Sequence, residues 1–187
     1  PTYSVDGSTW SNGFAATWHF ASEVAGSFVD SSPTPYHAVA NGPVIDNLGK
    51  IGAAASFDGT DDFAKPTGYK GITGTNPRTM SAWIKTPKQN AAIMSWGNNA
   101  AGQKWIFRTQ TDNGTNGALR VEVNGGYRVG NQNVANNSWR HVAAVFPDGA
   151  TNINQMLFYV DGEISGGYSA VNAKEIDTLE DDDVLIG

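Results

Sequence analysis

WRHVAAVF at 139–146 is followed a few residues later by LFYVDGE at 157–163. The first run alternates, with Val142, Ala144 and Phe146 on one face and His141, Ala143 and Val145 on the other, as a strand between a core and a second environment requires. The second run alternates too, setting Leu157, Tyr159 and Asp161 against Phe158 and Val160. It ends in Asp161-Gly162, a dipeptide suited to a tight hairpin turn whose central residues need positive φ. Two neighbouring alternating strands, the second ending in such a turn, predict an antiparallel sheet with one buried face.

Working outward, the rest of the chain reads the same way. TMSAWIK at 79–85 places Met80, Ala82 and Ile84 on one face and Trp83 on the other. Ala92–Trp96, Lys104–Thr109, Ala118–Val123 and Tyr127–Val129 follow at a spacing suited to a sandwich, and 119–129 forms a hairpin by itself. Phe14–Phe20 predicts the first strand and Ile51–Phe57 a strand of small residues. Pro33, Pro35 and Pro43 break 21–50 into loop. Residues 165–183 read as a loop ending in the acidic run Asp181-Asp182-Asp183. Asn-Gly pairs at Asn12, Asn41, Asn113, Asn116 and Asn124 mark further turns.

Composition limits the partners. The 187 residues carry a net charge of −6, contain no cysteine and hold 22 glycines, six Trp, six Tyr and eight Phe. That length suits one sizeable sandwich. Scattered Lys and Arg on an acidic chain give a polyanion little to bind, which argues against nucleic acid. No apolar run is long enough for a membrane-spanning helix. Without cysteine there are no disulfides, thiolate metal sites or thiol nucleophiles. The chain opens at Pro1 with no leader pattern and reads as a piece or processed product of a longer protein, with residues 1–13 as an incoming linker or the end of a preceding segment.

The blocks FAATWHF (14–20), DSS (30–32), GKIGAAASFDGTDDF (49–63), MSAWIK (80–85), IMSWGN (93–98), WRHVAAVF, LFYVDGE and VLIG (184–187) occur in an order that resembles the laminin-G-like jelly-roll domains of the concanavalin A-like superfamily. The bacterial secreted branch is the nearest likeness. The resemblance covers 14–187. It implies an all-β fold, a two-sheet antiparallel sandwich of about 12–14 strands, and a non-catalytic extracellular or cell-surface module that binds carbohydrate or protein. Calcium is an ion such domains often hold. The family pattern continues past VLIG into a closing strand that this chain does not reach. The strand is therefore expected from a following segment of the same polypeptide or from a strand donor, and the second course fits a spacer or polymerising subunit of a surface assembly.

Hard cations need several oxygens together, and Asp30, Asp58, Asp61 and Asp62 offer carboxylates in loops. The resemblance adds Asn98 and Asn136, at the rim where related domains hold an ion. Both Asn residues also suit turns that satisfy their own backbone. A neutral sugar needs an aromatic face with polar groups beside it, and Trp105, Tyr127, Tyr168 and Tyr69 lie near Asn- and Gly-rich turns. Trp18, Trp83, Trp96 and Trp139 fall at family core positions and are expected to be structural.

Glu175, Asp177 and Glu180 parody the carboxylate run of glucanases on this fold. The run follows LFYVDGE here, whereas in those enzymes it precedes the equivalent strand, so no catalytic residue is assigned. His19, His37 and His141 are isolated and make no zinc set.

Overall fold

The computed structural model describes residues 8–187, so the start of the expected incoming segment, with Tyr3, lies outside the described residues. The described chain separates into two compact units, one running up to Gly71 together with Asp183–Gly187, the other spanning Ile72–Asp182.

The first unit begins with a short 3-10 turn, Ser8–Trp10, and continues through β1 (Trp18–Val24), β2 (Ser27–Asp30), β3 (Ala38–Asn41), β4 (Val44–Asp46), β5 (Ala54–Ser56) and β6 (Phe63–Pro66). β1, β2, β3 and β6 are neighbours in that order, all antiparallel, while β4 and β5 form a separate ribbon. Ala25 and Gly26, at φ 51° and 76°, turn β1 into β2. The first strand starts later than the Phe14–Phe20 alternation predicts. Phe14 is exposed and sets its ring edge against Trp10. Residues 21–50 hold short strands where the prolines predict loop.

The organiser of this segment is Asp30. Its carboxylate is buried and accepts N–H bonds from Thr17 (2.8 Å), Ser32 (2.9 Å) and Tyr36 (2.9 Å), and a bond from the Ser32 hydroxyl (3.0 Å). A buried carboxylate persists when donors replace its water. Four donors from three loop residues fold the chain around this one side chain.

The second unit contains β7 (Arg78–Ile84), β8 (Ala92–Gly97), β9 (Lys104–Gln110), β10 (Ala118–Glu122), β11 (Tyr127–Asn133), β12 (Arg140–Phe146), β13 (Leu157–Val160), β14 (Glu163–Ile164) and β15 (Tyr168–Asn172). A last short strand, β16 (Leu185–Ile186), belongs to the first unit and pairs with β6 through Ile186 and Ala64. Within the second unit one sheet runs β8-β9-β10-β11-β15 and the other β14-β13-β12-β7. All pairings are antiparallel.

The two sheets of this unit face each other as a β-sandwich, and the described residues form no α-helix. This is the all-β, jelly-roll-like class that the family resemblance implies, with short extra strands raising the number above the expected 12–14. One inner face supplies Trp105, Phe107, Leu119 and Val121, the other Met80, Val142, Ala144, Phe146 and Phe158, all buried. Trp105 donates its indole N–H to the Met80 sulfur at 3.2 Å and meets Phe146 edge-on at 6.2 Å. Fully burying each such large side chain contributes about 1.5–3 kcal/mol.

The 139–163 stretch folds as its pattern dictates. β12 pairs with β7 along its whole length and with β13 from Val142↔Val160 to Val145↔Leu157. Asp161 and Gly162 sit at φ 54° and 87°, the two positive values of a type I′ hairpin, and hand β13 into β14.

Candidate functional site

The sequence-predicted aromatics are placed in four different settings. Trp105 is a core residue at 0% exposure and has no face left for a ligand. Its neighbours Trp96, stacked at 5.6 Å, and Phe146 fill the space a sugar would need. Its period-two partner Phe107 is buried with it. That alternation was the signal for burial, and the Gly-rich turn beside it misleads.

Tyr127 is half-buried and capped by the Arg120 guanidinium, 4.1 Å from its ring centre. Arg120 belongs to a charge network on β9 and β10. Glu122 accepts from Lys104 (2.9 Å), Arg108 (3.2 Å) and Arg120 (2.8 Å), and Arg108 also pairs with Asp112. Burial pushes the Glu122 carboxyl up, but Lys104, Arg120 and Arg108 outweigh it and hold the group below its ordinary value.

Tyr168 donates its hydroxyl to the Met156 carbonyl at 2.8 Å and carries the Arg128 guanidinium over its ring. Tyr69 lies in the first unit, between Tyr36 at 4.9 Å and Trp18 at 6.1 Å. Burial, then the Asp30 charge and the neighbouring Tyr36, push its phenol up to about 12.

Two arrangements offer ligand chemistry. The first is the turn between β5 and β6. There Asp58, Asp61 and Asp62 bring one carboxylate oxygen each within 4.8 Å of the others. The turn is built to do this. Asp58 Oδ1 accepts the Thr60 N–H at 2.7 Å, Asp62 Oδ2 accepts the Asp58 N–H at 2.8 Å, and Asn41 donates to the Asp61 carbonyl at 3.3 Å. Gly42 lies against the Asp62 carboxylate, where any side chain would collide with it.

The second arrangement is on the sandwich sheet β14-β13-β12-β7, on the face away from the core. Trp83 pairs directly with His141 and is 40% exposed, although its family position predicts a core role. The rings are 5.3 Å apart and inclined at 59°. Asp161 continues the row: its N–H donates to the His141 carbonyl at 2.7 Å and its Oδ1 accepts the His141 N–H at 3.0 Å. Its Oδ2 pairs with Arg140 at 2.7 Å. Trp83, His141, Asp161 and Gly162 line a shallow depression of about 390 Å³. Alternation had put Trp83 opposite Met80, Ala82 and Ile84, so its outward direction was readable from the strand itself.

Residues 57–187 match a laminin G-type family of the concanavalin A-like lectin/glucanases superfamily. The chain belongs to this superfamily. A search of curated proteins gives no match. Laminin G-like domains of the superfamily are in general carbohydrate- or protein-binding modules and generally non-catalytic, and the superfamily often binds calcium.

The acidic turn suits that ion. Calcium takes hard oxygen ligands at about 2.4 Å, so two of its ligands lie at most about 4.8 Å apart. Three carboxylates within that limit could supply part of a calcium shell. Asp30 does not join them. It spends both oxygens on Thr17, Ser32 and Tyr36. Asn98 and Asn136 belong to the other unit, and the Asn136 side-chain oxygen accepts the Ser138 N–H at 3.2 Å in a local turn.

The glucanase-like carboxylates alternate with buried residues. Ile176 and Thr178 turn inward at 1% exposure, while Glu175, Asp177 and Glu180 point to solvent. Glycoside cleavage needs a carboxyl pair flanking a bound sugar, and this run lines neither the depression nor the acidic turn.

Proposed function

We propose that this chain is a recognition module of a larger surface or secreted protein, binding carbohydrate or protein outside the cell with a calcium ion assisting at Asp58, Asp61 and Asp62. Residues 14–187 form the functional module in this reading, and 1–13 lead into it. The observation that carries it is the convergence of the three carboxylates in a turn that the superfamily match includes. Calcium there would screen the like charges and fix the turn. It would also offer an electrophilic point to sugar hydroxyls or to a partner's carboxylate.

The role fits the rest of the surface. The acidic balance repels polyanions, and the carboxylates at 175–180 point to solvent between buried neighbours. Recognition needs only complementary groups on a rigid frame, which the sandwich supplies.

The test is binding of the purified chain to a glycan array and to a panel of extracellular matrix proteins, with calcium and with chelator. Binding that strengthens with calcium is expected. Absence of binding to either panel under both conditions overturns the reading.

A further inference from the structure

We infer that the outward face of β7, β12 and β13 is a cation-independent binding site for neutral pyranose sugars, with Trp83 as its stacking platform. The inference deepens the recognition reading by naming a ligand class and a second place for it.

Of the six tryptophans, Trp83 alone is exposed; Trp96 and Trp105 are buried and Trp10, Trp18 and Trp139 are half-buried. An indole left two-fifths exposed forgoes part of the stabilisation that full burial of so large a ring brings. The surrounding residues give that exposure a chemical use. His141, directly across the strand pair, sets a second flat ring at 59° to the indole and adds ring nitrogens. Asp161 brings carboxylate oxygens that Arg140 and the His141 N–H already hold in place. Gly162 adds no side chain, and the space beyond its backbone is open.

A pyranose offers a flat patch of C–H groups on one face and hydroxyls around its rim. The indole matches the first and the His141–Asp161 edge matches the second. The depression is shallow and open, so it suits stacking against one face of a sugar rather than enclosure of a small ligand.

Charge does not hold the ligand. Arg140 and Asp161 pair with each other, and Lys85, on the Trp83 side of its strand, adds one exposed ammonium, worth little in water. Stacking on the indole asks for no charge, so a neutral sugar suffices.

The face also extends. Ala143 pairs with Ser81 on one side and Tyr159 on the other, so a row of two small residues ending in an aromatic lies beside the Trp83 row. Strand spacing and rise put the Trp83 and Tyr159 backbones about 12 Å apart, room for more than one ring. The small Ser81 and Ala143 side chains keep the floor between them low. An oligosaccharide fits this shape better than a single sugar.

The experiment uses the full chain with its tryptophan indoles labelled for NMR. It is titrated, with calcium and with chelator, with neutral cello-, xylo-, manno- and galacto-oligosaccharides, and with a sulfated oligosaccharide as control. The expected result is a shift of the Trp83 indole resonance with at least one neutral sugar and no stronger one with the sulfated control. Trp83→Ala should weaken that binding about ten-fold or more, and Trp83→Phe, which keeps a flat ring, should recover most of it. The exposed position lets both variants fold, which their thermal unfolding checks.

Three results overturn the proposal: no indole shift with any neutral sugar, unchanged affinity in Trp83→Ala, or sugar binding that vanishes in chelator. The last two leave the recognition reading standing and move the sugar elsewhere, the third to the acidic turn. The first, where a matrix protein is captured in place of a sugar, ends the sugar assignment while keeping recognition.

Discussion

The Arg78 guanidinium lies 4.9 Å from the centre of the Trp105 ring, a buried cation on the largest side chain of the sandwich core. It donates to the carbonyls of Ile72 (2.6 Å), Gly74 (2.7 Å) and Asn76 (2.9 Å) and to the Thr178 hydroxyl (3.0 Å). Burial pulls its pKa down to about 10. One side chain thus ties the approach to β7, the 178 segment and the core together. Arg78→Met keeps much of the volume and removes every donor, leaving the acceptors to find water or go unpaired. The expected loss is about 2–4 kcal/mol in urea unfolding. A loss under about 0.5 kcal/mol, the ordinary surface range, would sink this account.

Strong periodicity made much of the sandwich readable in advance. β7, β12 and β13 carry apolar residues at every second position and need no tertiary information to be recognised. β2, β3 and β4 carry three or four residues each, with Ser27, Asp30 and Asn41 among them, and their pairing depends on neighbours and on the Asp30 carboxylate. β15 was hidden for the same reason. Its Ser169 and Asn172 read as loop, yet Ser169 donates to the Gly130 carbonyl and the strand pairs with β11. At the candidate site the sequence put Asp58, Asp61 and Asp62 in a loop, and the closeness of their carboxylates comes from the fold. The burial of Trp105 and exposure of Trp83 followed from alternation, and the sequence context around each pointed the other way.

Tyr69 predicts an alkaline signature. Its phenol is pushed from about 10 to about 12 in the fold. The folded state therefore holds this proton more tightly than the unfolded state, and the associated stability is complete below pH 10. It is lost as pH rises through 12. Absorbance of tyrosinate should show one of the six tyrosines titrating late, and Tyr69→Phe should delete that late component. An unchanged titration curve in the variant would exclude Tyr69 as its source.

Asp161 predicts an acid signature at the hairpin. Arg140, chiefly, and the His141 N–H, against a smaller burial effect, hold its carboxyl below the ordinary carboxylate range. Its contribution is present above the unfolded value near 3.9 and is lost as pH falls through the lower folded value. Asp161→Asn should keep the turn, because Asn tolerates positive φ, and should flatten this acid dependence. Asp161→Ala should also lose the turn preference, costing about 1–2 kcal/mol more. Thermal unfolding from pH 2 to 7 compares the three proteins, and equal stability of the Asn and Ala variants would contradict the role given to the φ of 54°.

The acidic turn makes two predictions of opposite sign from one substitution. Without a cation, Asp58, Asp61 and Asp62 repel one another at separations within 4.8 Å, about 1 kcal/mol per pair even at the dielectric of water. Asp61→Asn removes one member, so in chelator and low salt the variant should unfold at a higher temperature than the parent. Added salt should shrink that advantage, since the turn is largely exposed. With calcium the order should reverse. A bound ion stabilises the parent by about 2.7 kcal/mol at a free concentration one hundred times its dissociation constant, and the variant, with one carboxylate fewer, should respond less at every concentration. Calcium-dependent unfolding curves of the two proteins decide both points. If parent and variant shift equally with calcium, the ion binds elsewhere. If neither shifts and the chelator-only advantage persists, the three carboxylates are a strained turn without an ion.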